Sequence, residues 1–222
     1  VKTLLATRKA PTSLSETKPD YKCAECKDTY WITTAQGCKR CVCYVPTIIA
    51  SALDPKYRDA QLSDFSRAVT DRIVQWVGAP SEGLLITGPA GVGKTHLAAG
   101  LVRALIETGK RVVFKRASEL YIEIRKSYDG TGLSEEAILA NYCEAAMLVL
   151  DDLGAGSISD HERRIALEVI DRRGNYMRPT VITSNRTAAE IGELMDERIG
   201  SRLGAYQVIA ITGRDRRKKA NG

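Results

Sequence analysis

Eight consecutive residues, Gly88-Pro89-Ala90-Gly91-Val92-Gly93-Lys94-Thr95, limit what this chain can fold into more than any other feature. They follow a short apolar run at 83–87 and precede a stretch, 94–108, with helical apolar spacing. A G-x-x-x-x-G-K-[ST] segment between a strand and a helix is a phosphate cradle. Its glycines let backbone N–H groups wrap phosphate oxygens, and the helix N-terminus adds partial positive charge. Lys94 supplies a cation to the terminal phosphates, and the Thr95 hydroxyl offers a ligand to Mg²⁺.

The surrounding pattern agrees with such a cradle. Apolar strands are expected at 83–87, 111–115, 147–151, 180–183 and 207–211, with helices at 94–108, 118–126, 134–145 and 160–174. A further helix is expected over 60–77, where Leu62, Phe65, Val69, Ile73 and Val77 fall at helical spacing. Near-continuous apolar strands alternating with helices indicate an α/β fold, a parallel sheet covered on both faces. Ligands bind such sheets at the carboxyl ends of the strands. Two more segments are expected there. Met147-Leu148-Val149-Leu150-Asp151-Asp152 delivers two carboxylates. Asp151 is placed to hold Mg²⁺, and Asp152 to act as general base or, alternatively, to cap a turn beside Gly154. Thr183-Ser184-Asn185 ends the next strand, and the Asn185 amide can orient a water near the γ-phosphate. A Ser-Asn pair after a strand is also a common turn.

Five of the six cysteines fall between Cys23 and Cys43. Cys23-x-x-Cys26 with a second pair downstream has the spacing of a four-thiolate zinc site, which can fold a module too small for its own core. The second pair is either Cys41-x-Cys43 or Cys38-x-x-Cys41, and spacing alone slightly favours the latter. Disulfides are not expected beside a nucleotide-binding core, which belongs in a reducing compartment. Cys143 stands apart in a helix and reads as core packing.

The formal net charge of +6 is unevenly placed. Residues 1–46 and 214–222 each carry +4, and 47–213 carry −2. The expected organisation is a flexible arm at 1–20, a zinc-binding module at 21–46, an ATPase domain at 47–213 and a basic tail at 214–222. No run approaches the apolar length of a membrane span, and no leader pattern opens the chain, so a cytoplasmic protein is expected.

Together, G-P-A-G-V-G-K-T, L-V-L-D-D-L-G and V-I-T-S-N resemble the AAA+ ATPases of the DnaC/DnaI-like helicase-loader group, whose core the IstB-type transposition helpers share. The likeness spans roughly 54–217, including the lead-in segment 54–60 that lies by the adenine in this group. It implies a five-stranded parallel sheet, an ATP site at a subunit junction, and self-association into a ring or spiral. Within Arg198-Ile199-Gly200-Ser201-Arg202-Leu203, Arg202 matches the arginine finger, which stabilises charge at a neighbour's γ-phosphate. Alternatively, Arg202 is an exposed arginine paired with Glu197 or Glu193. Arg217 matches a nucleotide-sensing arginine, although Asp215 and Arg216 replace the group's Ser and Tyr. Members with the cysteine module show C-x-x-C followed by C-x-C, which selects Cys23, Cys26, Cys41 and Cys43 as zinc ligands and implies docking of the module on the helicase.

The resemblance implies ATP, Mg²⁺ and Zn²⁺ as cofactors. It implies a hexameric replicative DNA helicase and single-stranded DNA as partners, with no sequence-reading motif. Lys115, Arg116, Tyr121, Arg125 and Lys126, with Tyr128, are the candidate DNA contacts between the second and third strands, combining cations with aromatics. The expected activity is ATP-dependent helicase loading. The alternatives are a transposition helper, an ATP-switched adaptor with negligible turnover, and a small-molecule kinase, for which Arg202 has no evident use.

Overall fold

The computed structural model of the protein describes residues 21–80, 83–130 and 132–215. The arm expected at 1–20, and Arg217 with most of the basic tail, lie outside the described residues. Compact units divide between Tyr44 and Val45.

In the first unit, β1 (Trp31–Thr34) and β2 (Gly37–Arg40) form an antiparallel hairpin. Among the described residues of this unit only Cys26 and Cys41 are buried. Local bonds shape the turn that carries the first cysteine pair. The Lys27 N–H donates to the Cys23 carbonyl at 2.9 Å, and the Asp28 carboxylate accepts the N–H of Lys22 and Cys23 at 3.1 and 2.9 Å.

The second unit is built on a five-stranded sheet in the order β4-β5-β6-β3-β7. The strands are β3 (Leu84–Thr87), β4 (Val112–Arg116), β5 (Met147–Asp151), β6 (Thr180–Ser184) and β7 (Gln207–Ala210), all parallel. Successive strand residues feed opposite faces. Leu84, Ile86, Met147, Val149, Val181 and Ile209 pack beneath α1 (Val45–Ala52), α2 (Arg67–Gly78) and α3 (Lys94–Glu107). Leu85, Leu148, Leu150 and Ile182 pack under α4 (Ala117–Ser127), α5 (Glu135–Glu144), α6 (Asp160–Asn175), α7 (Ala188–Leu194) and α8 (Glu197–Gly204). Burial on both faces is why these strands are apolar throughout, each such side chain contributing about 1.5–3 kcal/mol. No helix among the described residues is long and apolar enough to cross a membrane.

The helix expected over 60–77 starts later, at Arg67. Gln61 and Asp64 close a separate 3-10 turn over Leu62–Asp64, in which the Asp64 carboxylate accepts the Gln61 N–H, and Ser66 is extended before α2. Helices α1, α7 and α8 add to the sequence expectation. Thr187 caps α7 through a capping box with Glu190, and the Asp196 carboxylate accepts the Arg198 N–H at the start of α8. These two helices cross closely. A Cβ on Gly200 would lie 2.7 Å from the Gly192 Cα, so the crossing requires glycine.

A large cationic side chain is buried inside this apolar fold. Arg173 on α6 is fully buried. Its guanidinium donates to the carbonyls of Tyr142, Cys143, Ala145 and Pro179 and to Thr180 Oγ1. It thereby satisfies the carboxyl end of α5 and the entrance to β6, while burial pulls its pKa down to about 10. Arg173→Ala strips partners from these carbonyls. It is expected to lower unfolding free energy by about 3 kcal/mol or more, read as a lower urea midpoint with an unchanged slope. An unchanged midpoint would contradict this role.

Candidate functional site

Strands β5, β6 and β3 are neighbours, and their carboxyl ends open on a cavity of about 660 Å³, within the range of nucleotide-sized pockets. The loop between β3 and α3 supplies Gly91, Gly93, Lys94 and Thr95 to its wall. Gly91 and Gly93 have φ of +82° and +106°, backbone that a side chain would strain. The Lys94 Nζ donates to the Gly88 and Pro89 carbonyls at 2.8 and 2.9 Å, which folds its stem along the loop. Lys94 and Thr95 open a helix of 14 residues, so backbone donors, helix dipole and ammonium converge on one anion site. Lys56, Tyr57 and His96 line the same cavity. His96 Nε2 lies 2.7 Å from the Asp64 carboxylate, and the Tyr57 ring stands edge-on to His96.

The acidic side comes from β5. Asp151 is 2% exposed. Its carboxylate accepts the Thr183 hydroxyl at 2.6 Å on one oxygen and the Thr95 hydroxyl at 3.1 Å on the other. Burial raises its pKa above the usual carboxylate range, and the two hydroxyls offset part of that rise. A carboxylate beside a threonine hydroxyl, at a phosphate loop, is a donor set that fits Mg²⁺. Asp152 turns away from the strand with φ of +60°. That left-handed turn, which Asp tolerates better than most residues, aims its N–H at Thr183 Oγ1, 2.9 Å away, and leaves its carboxylate exposed at the cavity wall with Asn185. Thr183 thus holds both acidic residues and is the site residue that the sequence reading passed over. Its signal is register. It sits one step beyond the Leu150–Ile182 pair, beside Asp151. Ser184 completes the edge, donating to the Leu153 carbonyl at 2.7 Å.

Arg202 lies elsewhere. It shares a small cavity with Gly83, Pro179 and Tyr206, which precede β3, β6 and β7, and so stands at the amino edge of the sheet, opposite Lys94. Its partner is Asp171, at 2.8 Å, rather than Glu193 or Glu197.

The candidate DNA contacts divide. Tyr121 is corrected: it is 3% exposed, because Ala117, Leu120, Tyr121 and Ile124 form the inward stripe of α4, and its ring has no face for a base. Lys115 pairs with Glu123 at 2.8 Å, and Arg116 with Asp54 and Glu119, so both spend their charge within the chain. Arg125, 4.0 Å from Glu162, and Lys126 are exposed. Tyr128 is exposed too, its hydroxyl bonded to Glu135 and 2.7 Å from His161.

In the first unit, the sulfurs of Cys23, Cys26, Cys41 and Cys43 all lie within 4.8 Å of one another. The Cys23–Cys41 and Cys26–Cys43 sulfurs are 3.7 and 3.4 Å apart. Sulfurs bound about 2.3 Å from a tetrahedral zinc stand about 3.8 Å apart, so the cluster can hold this ion. Cys38 is exposed on β2 beside Thr33, outside the cluster. The backbone amides of Cys26 and Glu25 bring the Cys23 thiol down to about 7, whereas burial and the other sulfurs push Cys43 up. A divalent cation relieves that mutual hindrance.

Asp151→Asn tests the buried carboxylate. Because the folded-state pKa is raised, stability is greatest with the group neutral and is lost as pH rises through that value. The variant is expected to melt above the parent at pH 7 and lose Mg²⁺-dependent nucleotide binding. The melting difference should vanish on acidification below the ordinary carboxylate range, where the parent's Asp151 is neutral in both states. A variant melting below the parent at pH 7 would contradict this. For the cysteines, metal analysis is expected to find one zinc per chain, kept by Cys38→Ser and lost by Cys43→Ser. The reverse pattern would assign Cys38 instead.

Residues 52–203 match the model of the IstB-like ATP binding protein family. Replicative helicase loader DnaC of Escherichia coli (strain K12) is 30% identical over 119 residues, 54% of this chain and 49% of that protein. The DnaC loader of Buchnera aphidicola subsp. Baizongia pistaciae is 30% identical over 141 residues, 62% of this chain and 57% of its own. The chain therefore spans about half the length of the curated relatives it matches. Among solved structures, the DnaC helicase loader superposes with a TM-score of 0.63 at 25% identity, over 72% of this chain and all of that one. With its five-stranded AAA+ sheet and phosphate loop, and the family model covering 52–203, the chain belongs to the IstB-like ATP-binding proteins.

Proposed function

We propose that this protein is a cytoplasmic, ATP-hydrolysing loader that places a hexameric replicative DNA helicase on single-stranded DNA. One observation carries the reading. Lys94, Thr95, Asp152 and Asn185 line one cavity at the carboxyl edge, where Asp151 meets Thr95, while Arg202 stands at the opposite edge. A site divided in this way is completed by a second copy, whose Arg202 faces the first copy's nucleotide. A ring or spiral of copies follows.

In this reading Gly88, Pro89, Ala90, Gly91, Val92 and Gly93 wrap the phosphates, and Thr95 and Asp151 hold Mg²⁺. When bound there, the metal would supply neutralisation of phosphate charge. Lys94 leaves the Gly88 and Pro89 carbonyls for a phosphate oxygen. The Asp152 carboxylate accepts the proton of the attacking water, which the Asn185 amide orients. A neighbour's Arg202 exchanges Asp171 for the γ-phosphate, an exposed ion pair that is inexpensive to break. Arg217 follows the last strand as a nucleotide sensor. DNA runs by Arg125 and Lys126, with Lys115 and Arg116 joining once released from their carboxylates. The zinc-bound module at 21–46 serves the helicase. The similarity to DnaC loaders supports this partner; the family description equally admits a transposition helper.

Lys94→Ala is expected to abolish ATPase activity. Arg202→Ala should keep ATP binding and lose turnover by about a thousandfold or more. Mixing the two variants should restore part of the activity, since some junctions then pair an intact cradle with an intact finger; no recovery would contradict a site shared between copies. Capture of a hexameric replicative helicase in the presence of ATP tests the partner. Capture of a transposase instead would favour the helper.

A further inference from the structure

One face of α3 grips the segment 58–64 at three successive turns. The Arg103 guanidinium donates to the Arg58 carbonyl at 3.3 Å. One turn earlier, Gly100 lets the two backbones approach, since a Cβ there would lie 2.9 Å from the Gln61 carbonyl carbon. At the first turn, His96 Nε2 stands 2.7 Å from the Asp64 carboxylate. Residues 96, 100 and 103 are spaced i, i+4 and i+7 along α3, which is why they share this face.

The His96 end of this grip reaches the nucleotide cavity. A carboxylate only accepts, so Nε2 is the donor and the imidazole is fixed at that atom. The same Asp64 oxygen accepts the Gln61 N–H at 2.9 Å and closes the 3-10 turn. Two more rings meet the imidazole, Tyr57 edge-on with centres 6.4 Å apart and Phe65 tilted at 6.0 Å. His96 directly follows Thr95 and lines the cavity with Tyr57, whereas Asp64 stands outside that lining. Among the described lining residues, only Tyr57 and His96 carry rings. The phosphate loop fits the anionic end of a nucleotide, and this ringed wall fits its flat base.

We propose that the His96–Asp64 bond is a latch that sets the nucleoside wall of the site, so that His96 is a positioning residue for the base and ribose and not for the phosphates. The proposal rests on the nucleotide-site reading above and not on the loader reading. Opening the latch frees the segment that follows Tyr57 from the first turn of α3, and leaves the loop glycines, Lys94 and Thr95 in place.

The test compares Mg²⁺-ADP, which carries a nucleoside, with Mg²⁺-tripolyphosphate, which does not, by calorimetry on the full chain. His96→Ala and Asp64→Ala should each weaken ADP binding about tenfold, the loss of one charge-assisted hydrogen bond, and keep tripolyphosphate binding within about twofold. Because Asp64 does not line the cavity, its effect reports the latch rather than a lost contact. The double variant should bind ADP no more weakly than the weaker single variant, since both remove the same bond. His96→Gln, whose amide can still donate to Asp64, should recover part of the affinity. Retained tripolyphosphate binding also shows that each variant keeps a folded phosphate loop. ADP affinity unchanged in both single variants would overturn the proposal, as would equal losses for the two ligands or losses that add in the double variant. A parent chain that fails to bind ADP would overturn the nucleotide site itself.

Discussion

Asp151 ends β5 as a buried carboxylate clasped by the hydroxyls of Thr183 and Thr95, and the rest of the nucleotide site takes its position from that clasp. Burying a carboxylate is costly unless hydrogen bonds repay it. Two hydroxyls repay part, and its pKa stays raised. The remaining demand is for positive charge, which a metal at the phosphate loop would meet. The same bonds lock β5 to β6 and to the start of α3. Through the Asp152 N–H, Thr183 also fixes the turn that carries the second acid. A single threonine thus sets the spacing between the residue suited to hold the metal and the residue suited to accept a proton.

The sheet separates residues that the proposed reaction has to join. Its carboxyl edge holds the phosphate loop, Asp151, Asp152 and Asn185, and its amino edge holds Arg202. No rearrangement within one parallel sheet brings the two edges together. In the proposed reaction, assembly would be part of the chemistry, and a control on assembly would be a control on turnover. The module of residues 21–44 follows different physics. It buries little beyond two cysteines, so a metal held by the four sulfurs would order it more than apolar contact does.

The sheet was legible in the sequence because strands buried on both faces read as unbroken apolar runs, and each lies within a residue or two of its expected bounds. Lys94, Thr95, Asp151, Asp152 and Asn185 were legible as neighbours because strand ends in such a sheet share an edge. Helices α7 and α8 were not, being seven and eight residues long, too short for periodicity to register. The break before α2 was hidden because a 3-10 turn and a helix offer the same apolar spacing. Tyr121 was misread by composition, although its spacing from Ala117, Leu120 and Ile124 places it inward. Thr183 was missed because its role depends on register between strands far apart in sequence.

In the proposed mechanism, one copy holds an incomplete site. Specific ATPase activity measured against protein concentration addresses it directly. Turnover per chain should rise steeply as copies associate and then level off, with nucleotide binding per chain constant across the same range. Turnover per chain that stays constant down to concentrations at which the protein sediments as a monomer would contradict a site shared between copies.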